Sequence, residues 1–160
     1  MYILEEPSTG DARRLWANPL DRAEVDKVTR LFRVLVPVTD IEAAQQFYES
    51  ILDVAGTRVS PGRHYFDCDG TILACFDPKA DGDGYEAKPN PEPLYLAVPN
   101  LQATFDACDR AGAKFAAAAP PGVGPLGKIM KRPWGEESFY VDDPFGNGLC
   151  FVSSESIFTG

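Results

Sequence analysis

The spacing of apolar and polar positions changes along the chain, and the first changes predict a strand followed by a helix. Residues 31–38 form an apolar run rich in β-branched side chains, which is typical of a strand. Thr39 and Glu42 have the spacing of a capping box, so we expect a helix to begin there. Its apolar face is predicted to consist of Ile41, Ala44, Phe47, Tyr48, Ile51 and Leu52.

Three short strands are predicted after this helix. They cover residues 54–60, 64–67 and 71–76, and turn signals separate them. Asp69-Gly70 is a strong hairpin signal between the last two. The first half of the chain is therefore predicted to be βαβββ.

The second half repeats this order of elements. Asn100 is predicted to cap a helix that ends at Gly112. Strands are predicted over 94–98, near Lys114, and over 138–141 and 149–152. Aligning Val38-Thr39-Asp40-Ile41 with Val98-Pro99-Asn100-Leu101, and residues 70–73 with 146–149, makes the repeat explicit and matches His64 to Tyr140. The second half is longer, so we expect an insertion in the Ala/Pro/Gly-rich stretch 116–127 and the residues just after it.

Size and composition predict one domain. The chain has 160 residues, of which 44% are hydrophobic. We divide it into an N-terminal extension, 1–30, and a domain, 31–153. The domain consists of module one, 31–77, a polar linker, 78–92, and module two, 93–153.

Charge, the length of the apolar runs and cysteine content make several partners and compartments unfavourable. A net charge of -9 disfavours binding to nucleic acids and anionic membranes. No apolar run is long enough to span a bilayer. Four cysteines without CxxC spacing, and no signal-peptide pattern, favour reduced thiols in the cytoplasm.

Two segments of this chain resemble a known family. Residues 32–48 resemble the opening of the vicinal oxygen chelate superfamily, which includes glyoxalases, bleomycin-resistance proteins and extradiol dioxygenases, and residues 132–149 resemble its closing strands. The resemblance covers about residues 31–153. It implies an α+β fold in which two βαβββ modules form a curved mixed sheet around a cleft, with helices outside, and it implies a homodimer.

The ligand positions of this family carry the wrong side chains for a metal. Metal-dependent members take His, Gln or Glu ligands from the first and last strands of each module, and the matching positions here hold Arg33, Ala74, Pro93 and Cys150. A guanidinium cannot ligate, Ala and Pro offer no side-chain donor, and one thiolate is not a site. We therefore expect no metal and no other cofactor.

Strand alternation and the resemblance together give the cleft candidates. In the first strand Arg33 and Leu35 share one face, while the intervening valines face the helix. The candidates for ligand binding are Arg33, Leu35, His64, Tyr95, Trp134, Tyr140 and Cys150. All of these except Leu35 have a structural alternative that stays open: an ion pair for Arg33, a cap on the core for Trp134, cross-strand packing for Tyr95 and Tyr140, a hydrogen-bonded role for His64, and an inert buried thiol for Cys150.

The function implied is metal-independent binding of a small molecule. The resemblance to the bleomycin-resistance branch includes Trp134-Gly135 before the penultimate strand, and it implies a ligand that is aromatic or antibiotic-like. An enzyme stays open, either a lyase, isomerase or dioxygenase with a metal on unrecognised ligands, or one using acid and base groups without metal. A protein-interaction module with a closed cleft is the third class.

Overall fold

The structure is a computed structural model that describes residues 28–160; most of the predicted N-terminal extension lies outside the described residues. The elements in chain order are β1 (Arg33–Pro37), α1 (Ile41–Leu52), β2 (Thr57–Ser60), β3 (Arg63–Cys68), β4 (Thr71–Phe76), β5 (Leu94–Val98), α2 (Leu101–Arg110), β6 (Lys114–Phe115), β7 (Met130–Lys131), β8 (Glu137–Asp142) and β9 (Gly148–Ser153). Within residues 28–160, no helix has the length and apolar character needed to cross a membrane.

Each module forms its own mixed sheet. The first sheet has the order β1-β4-β3-β2, with β1 parallel to β4 and the other pairs antiparallel. The second has the order β5-β9-β8-β6, with β5 parallel to β9, and β7 also pairs with β8. The two sheets have the same order of equivalent strands, which confirms the predicted α+β fold and its internal repeat.

Both helices start at the predicted places, but the first is capped by a different residue. Asp40, not Thr39, is the N-cap of α1, and its carboxylate accepts a 3.0 Å hydrogen bond from the Ala43 amide. An N-cap side chain bonds the amide three residues on, so moving the cap by one residue removes the predicted capping box. Asn100 caps α2 as expected, at 3.0 Å from the Ala103 amide.

One hydrophobic core joins the two modules. It contains side chains from one face of each sheet, which we call the helix-side face, together with the apolar faces of α1 and α2. Val36 and Leu73 represent the first sheet in this core, and Phe139 and Phe151 the second. Since both helix-side faces belong to the same core, the opposite face of each sheet, which we call the open face, points away from it.

Hydrogen bonds from the turn at 143–147 hold the modules together. The Asp143 carboxylate accepts a 2.7 Å hydrogen bond from the Tyr48 hydroxyl in α1 and bonds from the Phe145 and Asn147 amides. The Asn147 side chain donates to the Pro37 carbonyl at the end of β1. All these groups are at least partly buried, so the turn has a structural role, as its sequence predicts.

Candidate functional site

The open face of the first sheet carries Arg33, Leu35 and two residues that the sequence did not single out. Leu35 pairs in register with Ala74, which pairs with Tyr65, so the three side chains share one face. Arg63 lies two residues from Tyr65 on the same face, and its Nη1 is 3.4 Å from the Tyr65 hydroxyl. Leu35 is 45% exposed, whereas Val36 is completely buried, as the predicted alternation requires.

The arginines of this face lie over aromatic rings. The Arg33 guanidinium carbon is 4.9 Å from the centre of the Phe32 ring and 5.1 Å from that of Tyr65. The Arg63 guanidinium lies 4.1 Å above the Phe76 ring, and its Nε donates to Asp81 at 3.1 Å. The face therefore combines aromatic surface with positive charge.

The open face of the second sheet brings together three predicted residues. Tyr95, Cys150 and Tyr140 are register neighbours on β5, β9 and β8. The Tyr95 and Tyr140 rings pack edge to face with their centres 6.3 Å apart. Burial, and then the neighbouring Cys150 and Tyr95, raise the pKa of Tyr140, so its hydroxyl stays protonated at neutral pH.

Cys150 is 1% exposed, and burial raises the pKa of its thiol. A thiol that stays protonated is a poor nucleophile and a poor metal ligand. Of the two interpretations that the sequence left open, the inert buried thiol fits this environment.

A buried arginine fixes the insertion of module two beside this face. Arg132 is 2% exposed, and its guanidinium donates to the hydroxyl and carbonyl of Ser138 in β8. It also donates to four carbonyls of the insertion, those of Val123, Pro125, Leu126 and Lys128. Arg132 was not among the predicted residues, because nothing in the sequence around it distinguishes it from a surface arginine.

His64 does not lie with the other candidates. It pairs with Cys75 on the helix-side face and is 2% exposed, with its Nε2 3.9 Å from the Glu49 carboxylate. Arg58 Nε donates to its Nδ1 at 3.4 Å. Burial, and then the charge of Arg58, lower the pKa of His64. This environment supports the structural alternative and removes His64 from the cleft candidates.

The misplacement of His64 comes from a register slip of one residue. Tyr65 pairs with Ala74, nine positions on, while Tyr140 pairs with Cys150, ten positions on. The connection between β8 and β9 is therefore one residue longer than the connection between β3 and β4. Tyr65, not His64, is equivalent to Tyr140. Because side chains alternate between faces, a slip of one residue exchanges the open face for the helix-side face.

Trp134 lies in the turn between β7 and β8, apart from the tyrosines. It is 41% exposed, and its indole nitrogen donates to the Glu136 carboxylate at 2.6 Å. Among the described residues, no ring contact joins it to Tyr95 or Tyr140. Its position is compatible with the rim of a binding site, not with the centre of either open face.

The side chains at the positions that the resemblance matches to the family's metal ligands do not fit a metal. Ala74 is buried in β4, Arg33 is cationic, Pro93 offers no donor, and the Cys150 thiol is protonated. Within the part of the chain that the structure describes, no three side chains of His, Cys, Asp or Glu are grouped so that they could hold an ion.

Comparison with known proteins places the fold in a family. A model of the Glyoxalase/Bleomycin resistance protein/Dioxygenase superfamily matches residues 30–151. A glyoxalase-related enzyme from Fulvimarina pelagi is similar in structure, with a TM-score of 0.62 and 18% identity over 83% of this chain and 94% of that one. No curated protein matches the sequence.

Two further solved structures share the fold. A glyoxalase/bleomycin resistance protein from Albidiferax ferrireducens T118 superposes with a TM-score of 0.58 and 20% identity, over 76% of this chain and 95% of that one. A lactoylglutathione lyase from Agrobacterium tumefaciens has a TM-score of 0.58 and 14% identity, over 80% of this chain and 96% of that one. At these identities the likeness concerns the fold.

Proposed function

The chain belongs to the Glyoxalase/Bleomycin resistance protein/Dioxygenase superfamily, and on that basis we propose that it binds a small aromatic molecule without a metal, in a cleft completed by a second copy. The observation that carries this proposal is the composition of the two open faces. One offers Leu35, Tyr65 and Arg33, and the other offers Tyr95 and Tyr140. Aromatic side chains with a few polar groups are the usual lining of a small-molecule site.

A second copy is proposed because, within residues 28–160, large side chains stay exposed on both open faces. Leu35, in the middle of β1, is 45% exposed, and Tyr95, the second residue of β5, is 63% exposed. Among the described residues, no hydrogen bond, ion pair or ring contact joins the first face, with Arg33, Leu35 and Tyr65, to Tyr95 and Tyr140 on the second. Apolar side chains left exposed on a sheet favour association with another surface. A homodimer in which one copy's first sheet faces the second sheet of its partner covers both.

The donor set supports metal-independent binding. The side chains at the family's ligand positions cannot complete a metal site, and the titratable groups of the open faces favour binding over proton transfer. Tyr140 and Cys150 both have raised pKa values, so at neutral pH they donate hydrogen bonds and do not accept protons. We also assign the protein to the cytoplasm, since its four cysteines are free thiols.

The first test measures metal content and ligand stabilisation in the same protein sample. We expect substoichiometric metal, no thermal stabilisation by Zn, Ni, Mn or Fe(II), and stabilisation by members of a panel of aromatic small molecules. Stoichiometric metal or a large metal-induced rise in the melting temperature would refute the metal-independent part. A panel without a single stabilising compound would refute small-molecule binding.

The second test compares two exposed tyrosines. Tyr95→Ser changes the open face, while Tyr85→Ser changes a tyrosine of similar exposure, 56%, in the linker. Analytical ultracentrifugation of the wild type is expected to give twice the 17.5 kDa of one chain. We expect Tyr95→Ser to weaken both dimerisation and ligand binding, and Tyr85→Ser to change neither. A monomeric wild type, or equal effects of the two variants, would contradict the shared cleft.

A further inference from the structure

Of the three arginines in the first sheet, Arg33 is the one whose charge has no acidic partner among the described residues. Arg58 is 2.9 Å from the Glu42 carboxylate, and Arg63 is 3.1 Å from that of Asp81. The chain has 24 acidic residues against 15 Lys and Arg, so acidic partners are abundant. A guanidinium that keeps its charge on an open face without such a partner is available to a ligand.

Two aromatic rings hold Arg33 in place. Phe32 and Tyr65 lie 4.9 Å and 5.1 Å from its guanidinium carbon, so ring faces, not hydrogen-bond acceptors, contact the group. Within residues 28–160, no hydrogen bond uses the N–H groups at the edge of this guanidinium. These N–H groups form a planar fork that fits two oxygens of a carboxylate or phosphate.

The side chains next to Arg33 on the open face are apolar. Its register partner is Ile72, and Leu35 is the next residue of β1 on the same face. The nearest acidic side chain in that row is Asp67, one strand further on, whose carboxylate accepts a 2.7 Å hydrogen bond from the Gly70 amide. Apolar neighbours lower the local dielectric when the cleft is covered, and a charge-assisted bond is stronger there.

We propose that Arg33, held between Phe32 and Tyr65, binds a carboxylate or phosphate group of the ligand, so that the ligand is an anionic aromatic compound. This inference rests on the proposed function and specifies its ligand class. The family resemblance matches Arg33 to a position where metal-dependent members hold a metal ligand, and in this chain that position carries an organic cation.

The experiment uses four probes that differ in one group: benzoate, phenyl phosphate, neutral benzamide and cationic benzylamine. Dissociation constants are measured by NMR titration of the full-length protein, followed through its amide signals. We expect benzoate or phenyl phosphate to bind at least about tenfold more tightly than benzamide, since a charge-assisted bond is worth that much. The anion with the lower dissociation constant shows whether the site prefers a carboxylate or a phosphate.

Two variants assign the preference to Arg33. Arg33→Gln is expected to abolish the preference for the anions, and Arg33→Lys to keep only part of it, because an ammonium lacks the planar fork. Arg110→Gln removes the same charge at the exposed end of α2 and is expected to keep the full preference. Circular dichroism of each variant verifies that it is folded.

The outcomes separate this inference from the proposed function. Equal binding of benzamide and the anions, tighter binding of benzylamine, or an equal loss in Arg110→Gln would overturn the anion site while small-molecule binding stands. If none of the four probes binds but the wider aromatic panel contains ligands, the anion site alone fails. If neither binds, both proposals fail.

Discussion

The buried guanidinium of Arg132 is predicted to be essential for the folding of the insertion in module two. Its side chain is 2% exposed and makes six hydrogen bonds of 2.9–3.3 Å, five of them to backbone carbonyls. The insertion has little regular structure of its own, apart from the two residues of β7. Arg132 therefore supplies the donors that a sheet would otherwise provide.

The expected cost of Arg132→Met follows from these contacts. Each buried acceptor that loses its donor costs about 1–3 kcal/mol. Two effects reduce the sum, because part of the insertion is exposed and its carbonyls can bind water, and because removing a buried charge relieves its desolvation cost. We expect a net loss of about 3 kcal/mol in the free energy of unfolding.

Urea unfolding followed by circular dichroism measures this loss. With a slope of about 2 kcal/mol per molar urea, the midpoint should fall by roughly 1.5 M. The matched control is Lys131→Met, which removes the same charge from the exposed neighbouring residue and should change stability by less than about 0.5 kcal/mol. The Leu126 amide, which donates to the Ala118 carbonyl inside the insertion, should exchange its hydrogen faster in Arg132→Met.

The reasoning would be refuted by an Arg132→Met protein whose unfolding free energy lies within about 1 kcal/mol of the wild type. A comparable loss in Lys131→Met would show that charge alone matters. Unchanged exchange at Leu126 would show that the guanidinium does not hold the insertion.

Three other predictions concern the helix-side core. The folded state lowers the pKa of His64, so it binds fewer protons than the unfolded chain; stability should fall as the pH drops below about 6.5, and His64→Gln should flatten this slope in unfolding measured from pH 7.5 to 5. Gly56→Ala should cost about 2 kcal/mol in urea unfolding, because the added methyl group would overlap the His64 ring. Tyr48→Phe should cost about 1.5 kcal/mol in the same assay, since it removes the 2.7 Å hydrogen bond to Asp143.

Each of these has a clear contrary result. An unchanged pH slope in His64→Gln would assign the titration to other groups. A Gly56→Ala protein as stable as the wild type would mean that the His64 ring can move aside. Full stability in Tyr48→Phe would mean that the contact between the modules does not depend on this hydroxyl.

Local pattern alone was enough to predict most elements. The strands at 71–76 and 94–98 have the predicted bounds, and α1 runs from Ile41 to Leu52 as its apolar spacing indicates. Such periodicity shows which side of an element is apolar, and the apolar side is the one that packs into the core. Two residues of β7 carry too little pattern to be recognised.

The candidate site was only partly predictable. Alternation within one strand identified Arg33 and Leu35 correctly as open-face residues. Tyr95, Tyr140 and Cys150 were separate candidates from the resemblance, and only the strand register shows that they are neighbours. His64 was assigned to the wrong face because the register between two strands depends on the length of their connection, which the repeat alignment misjudged by one residue.

Neighbours in the chain and residue chemistry were enough to predict the two βαβββ modules and the helix caps to within one residue. Only the tertiary structure showed that the modules share one core, that Leu35 and Tyr95 are exposed among residues 28–160, that Arg132 is buried among carbonyls, and that Tyr65 lies against Arg33. These contacts join residues far apart in the chain or displaced by loops, and no local periodicity records such distances.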